Sequence, residues 1–115
     1  MKNNPLKDKS YQFAIRIVKL SQFLQQEKKE FVLSKQVLRS GTAVGALICE
    51  AEFGQSKPDF TSKMSIALKE ANETEYWLSL LKDTDYISEN QFISLQSDCE
   101  ELIAMLVSTV KTSKS

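Results

Sequence analysis

The chain has 115 residues, 42% apolar and 26% charged, with 15 Lys/Arg balanced by 15 Asp/Glu and no histidine. That length sets a single domain able to bury roughly two-thirds of the surface its unfolded chain exposes, and the composition is that of a globular protein rather than a disordered or fibrous one. With only 3 Gly and 2 Pro there are few places to turn, which excludes a fold of many short strands and favours a few long helices.

The first predicted helix spans about residues 7–25. Phe13/Ala14, Ile17, Leu20/Ser21 and Leu24 recur at i, i+3/i+4, and Tyr11, Ile15 and Val18 widen the apolar stripe. It ends in the charged segment Gln26 to Glu30. A second helix spans about 34–53, with Val37, Val44, Leu47/Ile48 and Ala51 on its apolar face. Gly54 to Pro58 breaks it, because Gly suits the position after a helix end and Pro the first turn of the next. The third helix covers about 58–82, with Asp59 near its positive end. Ser88-Glu-Asn-Gln91 is a capping-box pattern that opens a fourth helix over about 89–111, in which Phe92, Leu95, Cys99, Leu102, Leu106 and Val110 keep 3–4 spacing. The tail from Lys111 to Ser115 is polar and is expected to fray. Four helices of similar length with short connections predict an all-α, antiparallel up-down-up-down four-helix bundle.

The third helix carries more than a bundle requires. At ~100° per residue its primary stripe is Phe60, Met64, Ala67, Leu68, Ala71 and Leu78. A second line lies beside it: Ile66, Glu70, Glu73, Trp77 and Leu81. Either this line widens the core or it is a subunit interface, for which a tryptophan in a partly polar strip is a suitable anchor. On the second helix, Gly41, Gly45 and Cys49 recur every four residues and form a smooth line where another helix can approach. Glycine inside a helix costs about 1 kcal/mol relative to alanine, so two of them call for a packing reason. Arg39 and Glu50 lie eleven residues apart, roughly 16 Å along the helix, and each needs a partner elsewhere. Glu70 and Glu73 are candidates for Arg39.

Charge divides along the chain. Residues 1–57 hold 10 Lys/Arg and 5 Asp/Glu, and residues 58–115 hold 5 and 10. The halves can neutralise one another within one bundle, meet head to tail between subunits, or leave a basic face for nucleic acid. Lys2, Lys7, Lys9, Arg16, Lys19, Lys28, Lys29 and Lys35 are the candidates for that face, although a dedicated nucleic-acid binder is usually basic overall. Catalysis is not expected. No Ser/His/Asp, Cys/His or phosphate-loop pattern is present, and without histidine neither the usual zinc site nor a di-iron Glu-x-x-His site can be built. No metal or cofactor is expected. Cys49 and Cys99 fall within helical patterns and read as buried, reduced thiols. The N-terminus lacks the apolar core of a secretory leader, and Thr42 to Cys49 is too short to span a bilayer. A cytoplasmic protein with no membrane partner is the expectation.

Arg39-Ser-Gly-Thr-Ala-Val44, Glu50, the turn at Phe60, and Ile66-Ala-Leu-Lys-Glu-Ala-Asn-Glu-Thr-Glu-Tyr-Trp-Leu78 resemble the four helix bundle protein family, also called the 23S rRNA intervening-sequence protein family. The resemblance extends over roughly residues 10–110. It implies an antiparallel four-helix bundle assembled as a homopentamer, some members being encoded within intervening sequences of 23S rRNA genes. Related retroelement accessory proteins are basic pentamers that serve a reverse transcriptase and its RNA. Two departures stand out: Leu47 takes the place of the family's asparagine, and the strongly basic balance is missing. Together these readings predict a non-catalytic homo-oligomeric scaffold, with an RNA- or DNA-binding accessory protein as the alternative.

Overall fold

The computed structural model describes residues 4–115; Lys2 lies outside the described residues. Four helices follow in order: α1 (Pro5–Glu27), α2 (Leu33–Glu52), α3 (Lys57–Asp83) and α4 (Glu89–Lys114). Contacts run around the square α1–α2–α3–α4 and back to α1, with α2–α3 the most extensive seam and α1–α4 the weakest. The bundle measures 43 × 23 × 19 Å, and among the described residues no helix is long and apolar enough to cross a membrane. The chain is the all-α up-down-up-down bundle that the periodicity predicts.

The helix ends show why the boundaries fall where they do. Asn4 Oδ1 accepts from Lys7 N–H at 3.1 Å and Pro5 takes the first turn, so α1 begins at Pro5, two residues before the predicted start. At its far end Lys28 and Glu30 N–H both reach the Leu24 carbonyl, at 3.2 and 3.0 Å, with Lys29 left-handed at φ 53°. The buried Glu30 carboxylate then accepts from Ser34 N–H at 2.7 Å and Val32 N–H at 3.2 Å, satisfying one open donor in the first turn of α2 and one just before it. Gly54 follows the last residues of α2 without a left-handed φ. What it provides is room: a β-carbon there would lie 3.0 Å from Asp59 Oδ2 and 3.1 Å from the Ala51 carbonyl. Ser56 caps α3 through Asp59 N–H at 3.2 Å. The capping box at Ser88 forms in both directions, Gln91 N–H to Ser88 Oγ at 3.1 Å and Ser88 N–H to Gln91 Oε1 at 2.8 Å.

Four expectations need correction. The polar tail is helical to Lys114, because Val110 is buried, Thr61 and Ser113 hydrogen-bond, and Lys57 Nζ holds the Ser115 carbonyl at 3.3 Å. Tyr11 and Val18 do not join the core. They sit about 100° or more around α1 from the fully buried Ile17, and they are exposed. Leu81 belongs to the core rather than to an outer strip, being fully buried at the end of the line Ala67, Ala71, Thr74 and Leu78. Of the two thiols only Cys99 is buried; Cys49 is exposed.

Candidate functional site

The sequence-predicted polar residues of helices two and three meet in one network across the α2–α3 seam. Arg39 Nη1 of α2 lies 3.1 and 3.3 Å from the two carboxylate oxygens of Glu70 on α3. Its Nη2 donates to Glu73 Oε2, and Trp77 Nε1–H donates to the same oxygen at 3.1 Å. One turn separates Glu70, Glu73 and Trp77 on α3, so a single guanidinium spans both carboxylates while the indole closes the far side. The Trp77 hydrogen bond acts most strongly on the Glu73 carboxyl, and with the hydrogen bond and charge of Arg39 it holds that carboxyl below its ordinary value although burial pushes the other way.

Beneath this half-exposed network lies a second, dry polar contact. Thr74 Oγ1 is 2.9 Å from Ser40 Oγ and 2.8 Å from the Glu70 carbonyl, with both hydroxyl residues fully buried. Hydroxyl pairs carry no periodicity, so the sequence offers no signal for them. On α4, the Cys99 thiol lies 3.3 Å from the Ala71 carbonyl, and burial pushes it up to about 12. Glu75 points toward Glu100 across the α3–α4 seam, and one of its carboxylate oxygens is sealed from solvent with no hydrogen-bond partner. Burial, then the neighbouring Glu100, raises its pKa above the ordinary carboxylate value.

The other singled-out residues are distributed elsewhere. Gly41 and Gly45 face α1 of their own chain: a β-carbon on Gly41 would lie 2.8 Å from Ile17, and one on Gly45 would lie 3.4 Å from Ser10. Glu50 is exposed, 4.0 Å from Lys63 Nζ. Three of the basic candidates are engaged in ion pairs. Lys7 meets Glu52 at 2.9 Å, Lys9 meets Glu101 at 2.9 Å, and Arg16 meets Asp98 at 2.7 Å while also reaching Ser94. The last two close the weak α1–α4 seam. Lys19, Lys28, Lys29 and Lys35 have no ion pair among the described residues; Lys28 lies over the Phe23 ring at 5.9 Å.

Chemically, the α2–α3 network is closed. Arg39 is matched by two carboxylates, and Glu73 receives two donors. Among the described residues no group of three or more His, Cys, Asp or Glu is placed to hold a metal ion. Such an arrangement fixes the register of one helix against another.

Among curated proteins no significant match was found. The crystal structure of a protein of unknown function from the S23 ribosomal protein family of Bacteroides thetaiotaomicron is similar over 92% of this chain and 98% of that one, at 57% identity and a TM-score of 0.91. The sequence profile described as 23S rRNA-intervening sequence protein matches residues 2–108. Fold, relative and profile agree, and the chain belongs to the 23S rRNA-intervening sequence protein family.

Proposed function

We propose that the protein is a non-catalytic homo-oligomeric scaffold of the cytoplasm, a ring of five by the family resemblance. The observation that carries this reading is the apolar surface left on rigid helices. Tyr11 and Val18 on α1, Ile66 and Tyr76 on α3 and Ile93 on α4 are all exposed. Two of these five are tyrosines, a side chain enriched at protein–protein interfaces, and that suits contacts with further chains. Light scattering on the eluting protein tests it. The expected mass is five times the 13.0 kDa chain, and a monomer at micromolar concentration would contradict the scaffold.

A second reading, an accessory protein for RNA or DNA, draws on Lys19, Lys28, Lys29 and Lys35, which no carboxylate neutralises among the described residues. Repetition around a ring would multiply a modest single-site affinity. Gel shifts with structured RNA over a range of salt test it, since phosphate binding weakens steeply as salt rises. Absence of any salt-sensitive shift removes this reading.

A further inference from the structure

Val32 is the N-cap residue of α2, makes no side-chain hydrogen bond to the helix, and is 69% exposed. Serine, threonine, asparagine and aspartate are the residues suited to that position. Here the neighbouring Glu30 carboxylate takes the Val32 and Ser34 N–H groups, and an apolar side chain is left in solvent. Phe31 beside it is 51% exposed. Side chains of a helix lean toward its N-terminus, so Val32 is tilted toward the end of the bundle.

That end also carries the α3–α4 turn, at the same height. Ser40 of α2 meets Thr74, and Cys99 of α4 meets Ala71. Counted back along the antiparallel helices from these contacts, Ser34 and Glu89 stand level with Leu80 and Leu81 of α3. The two turns differ in charge. Lys28, Lys29 and Lys35 border the first, against exposed Glu27 and the buried, hydrogen-bonded Glu30. Asp85 and Glu89 border the second, where Lys82 and Asp83 pair with each other at 3.6 Å. The three lysines, Asp85 and Glu89 have no ion pair among the described residues. One end of the molecule thus holds two exposed apolar side chains, a basic edge and an acidic edge. A nucleic acid or an anionic membrane would meet both signs of charge at once. A second copy of the same end can match them.

We propose that two copies of this chain pair end to end through these turns, about a two-fold axis. The four helices occupy successive corners of the bundle. With the axis midway between the turns and parallel to the line from α1 to α2, the second copy sets its α4 over α1 and its α3 over α2. Lys28 then faces Glu89 and Lys35 faces Asp85, twice over, with Phe31 and Val32 beside them. Every helix end also meets one of opposite polarity: the N-terminus of α2 faces the C-terminus of α3, and the C-terminus of α1 faces the N-terminus of α4. The same patch serves both partners, so the contact closes at two. The bundle is 23 × 19 Å across, about half the area each partner gives to a stable pair. Pairing is therefore weak between two separate chains and gains strength where several ends are held in one assembly. It is separate from the scaffold reading, whose contacts lie along the sides of the bundle.

Sedimentation velocity from micromolar to millimolar concentration reads the contact as a doubling of whatever unit is present in dilute solution. Val32→Ser removes apolar surface once in each copy, so the dissociation constant is expected to rise about tenfold or more, with the melting temperature not lowered. Lys28→Glu with Lys35→Glu makes both turns acidic, and Asp85→Lys with Glu89→Lys makes both basic. Each pair of changes is expected to abolish doubling alone, and an equimolar mixture of the two variants to restore it. Circular dichroism checks that they fold; should a charge variant melt early, Val32→Ser alone decides. No doubling at millimolar concentration, doubling unchanged in Val32→Ser, a mixture of folded variants that stays undoubled, or growth beyond two units each overturns the proposal. All four leave the mass of the dilute unit, and with it the scaffold reading, untouched. Binding of anionic vesicles or RNA that Val32→Ser abolishes, without any doubling, overturns it too and makes a phosphate-bearing surface the occupant.

Discussion

Gly41 of α2 and Ile17 of α1 are so close that a β-carbon on the glycine would sit 2.8 Å from both Cγ atoms of the isoleucine. Ile17 is fully buried and cannot swing aside. The glycine therefore sets how closely α1 and α2 approach at this level.

Gly41→Ala is expected to destabilise the bundle. Overpacking costs about 1–3 kcal/mol, against a helix-propensity gain of about 1 kcal/mol. Gly45→Ala reverses the sign, because its nearest neighbour, Ser10, stays at an ordinary contact distance of 3.4 Å. Thermal melts of the two variants give the comparison: a lower Tm for the first and a higher one for the second. Equal shifts would mean that the close approach to Ile17 is not limiting.

Glu30 is the hinge pin of the α1–α2 turn, since its buried carboxylate serves Val32 and Ser34 N–H together. Glu30→Ala leaves these donors open and is expected to cost about 1–3 kcal/mol. Exposed Glu27, at the end of the same helix, serves as the control: Glu27→Ala should stay within about 0.5 kcal/mol of the unaltered chain. Urea denaturation at matched slope distinguishes them.

Glu75 and Glu73 give opposite pH dependences. The Glu75 carboxyl, half-buried with one oxygen sealed from solvent and beside Glu100, titrates above its ordinary value of 4.5. Between that value and its raised one the folded chain holds a proton that the unfolded chain has released. Its contribution is complete below 4.5 and is lost as pH rises through the raised value. Glu75→Gln should therefore raise the urea midpoint at neutral pH and flatten the slope on the acid side of neutrality. The Glu73 carboxyl is held below 4.5 by Trp77 and Arg39, so its contribution is present above 4.5 and lost as pH falls through the depressed value. Trp77→Phe removes the indole donor and should move the Glu73 titration upward, read by NMR of its side-chain carboxyl carbon.

The two thiols should react very differently. Cys99 is buried with its pKa pushed up to about 12, whereas Cys49 is exposed. One equivalent of an aromatic disulfide reagent is expected to be consumed rapidly by dilute native protein, and the second only in denaturant. Rapid consumption of both would show that α3 and α4 separate readily at Ala71.

The bundle itself was legible before folding, because each element announces itself within a few residues of sequence. Phe92, Leu95, Cys99, Leu102, Leu106 and Val110 recur at helical spacing, and Ser88 and Gln91 form a cap over four residues. The pairing of Arg39 with Glu70 and Glu73 was also readable, since spacing alone puts both carboxylates on one side of α3. Less could be read of burial. Tyr11, Val18, Leu81 and Cys49 all lie at the border of an apolar stripe, where the rotation of a helix about its own axis decides between core and surface.

Local spacing determined four helices, their caps and the line of polar residues on α3. The tertiary structure alone decided which neighbour each line meets. Gly41 and Gly45 face α1, Arg39 satisfies Glu70 and Glu73 within one chain, and Thr74 finds Ser40 in a dry interface. The physical reason is one of range: periodicity and capping act over three or four residues along the chain. The partner of a helix face is set by close packing among all four helices at once, and no single segment contains it.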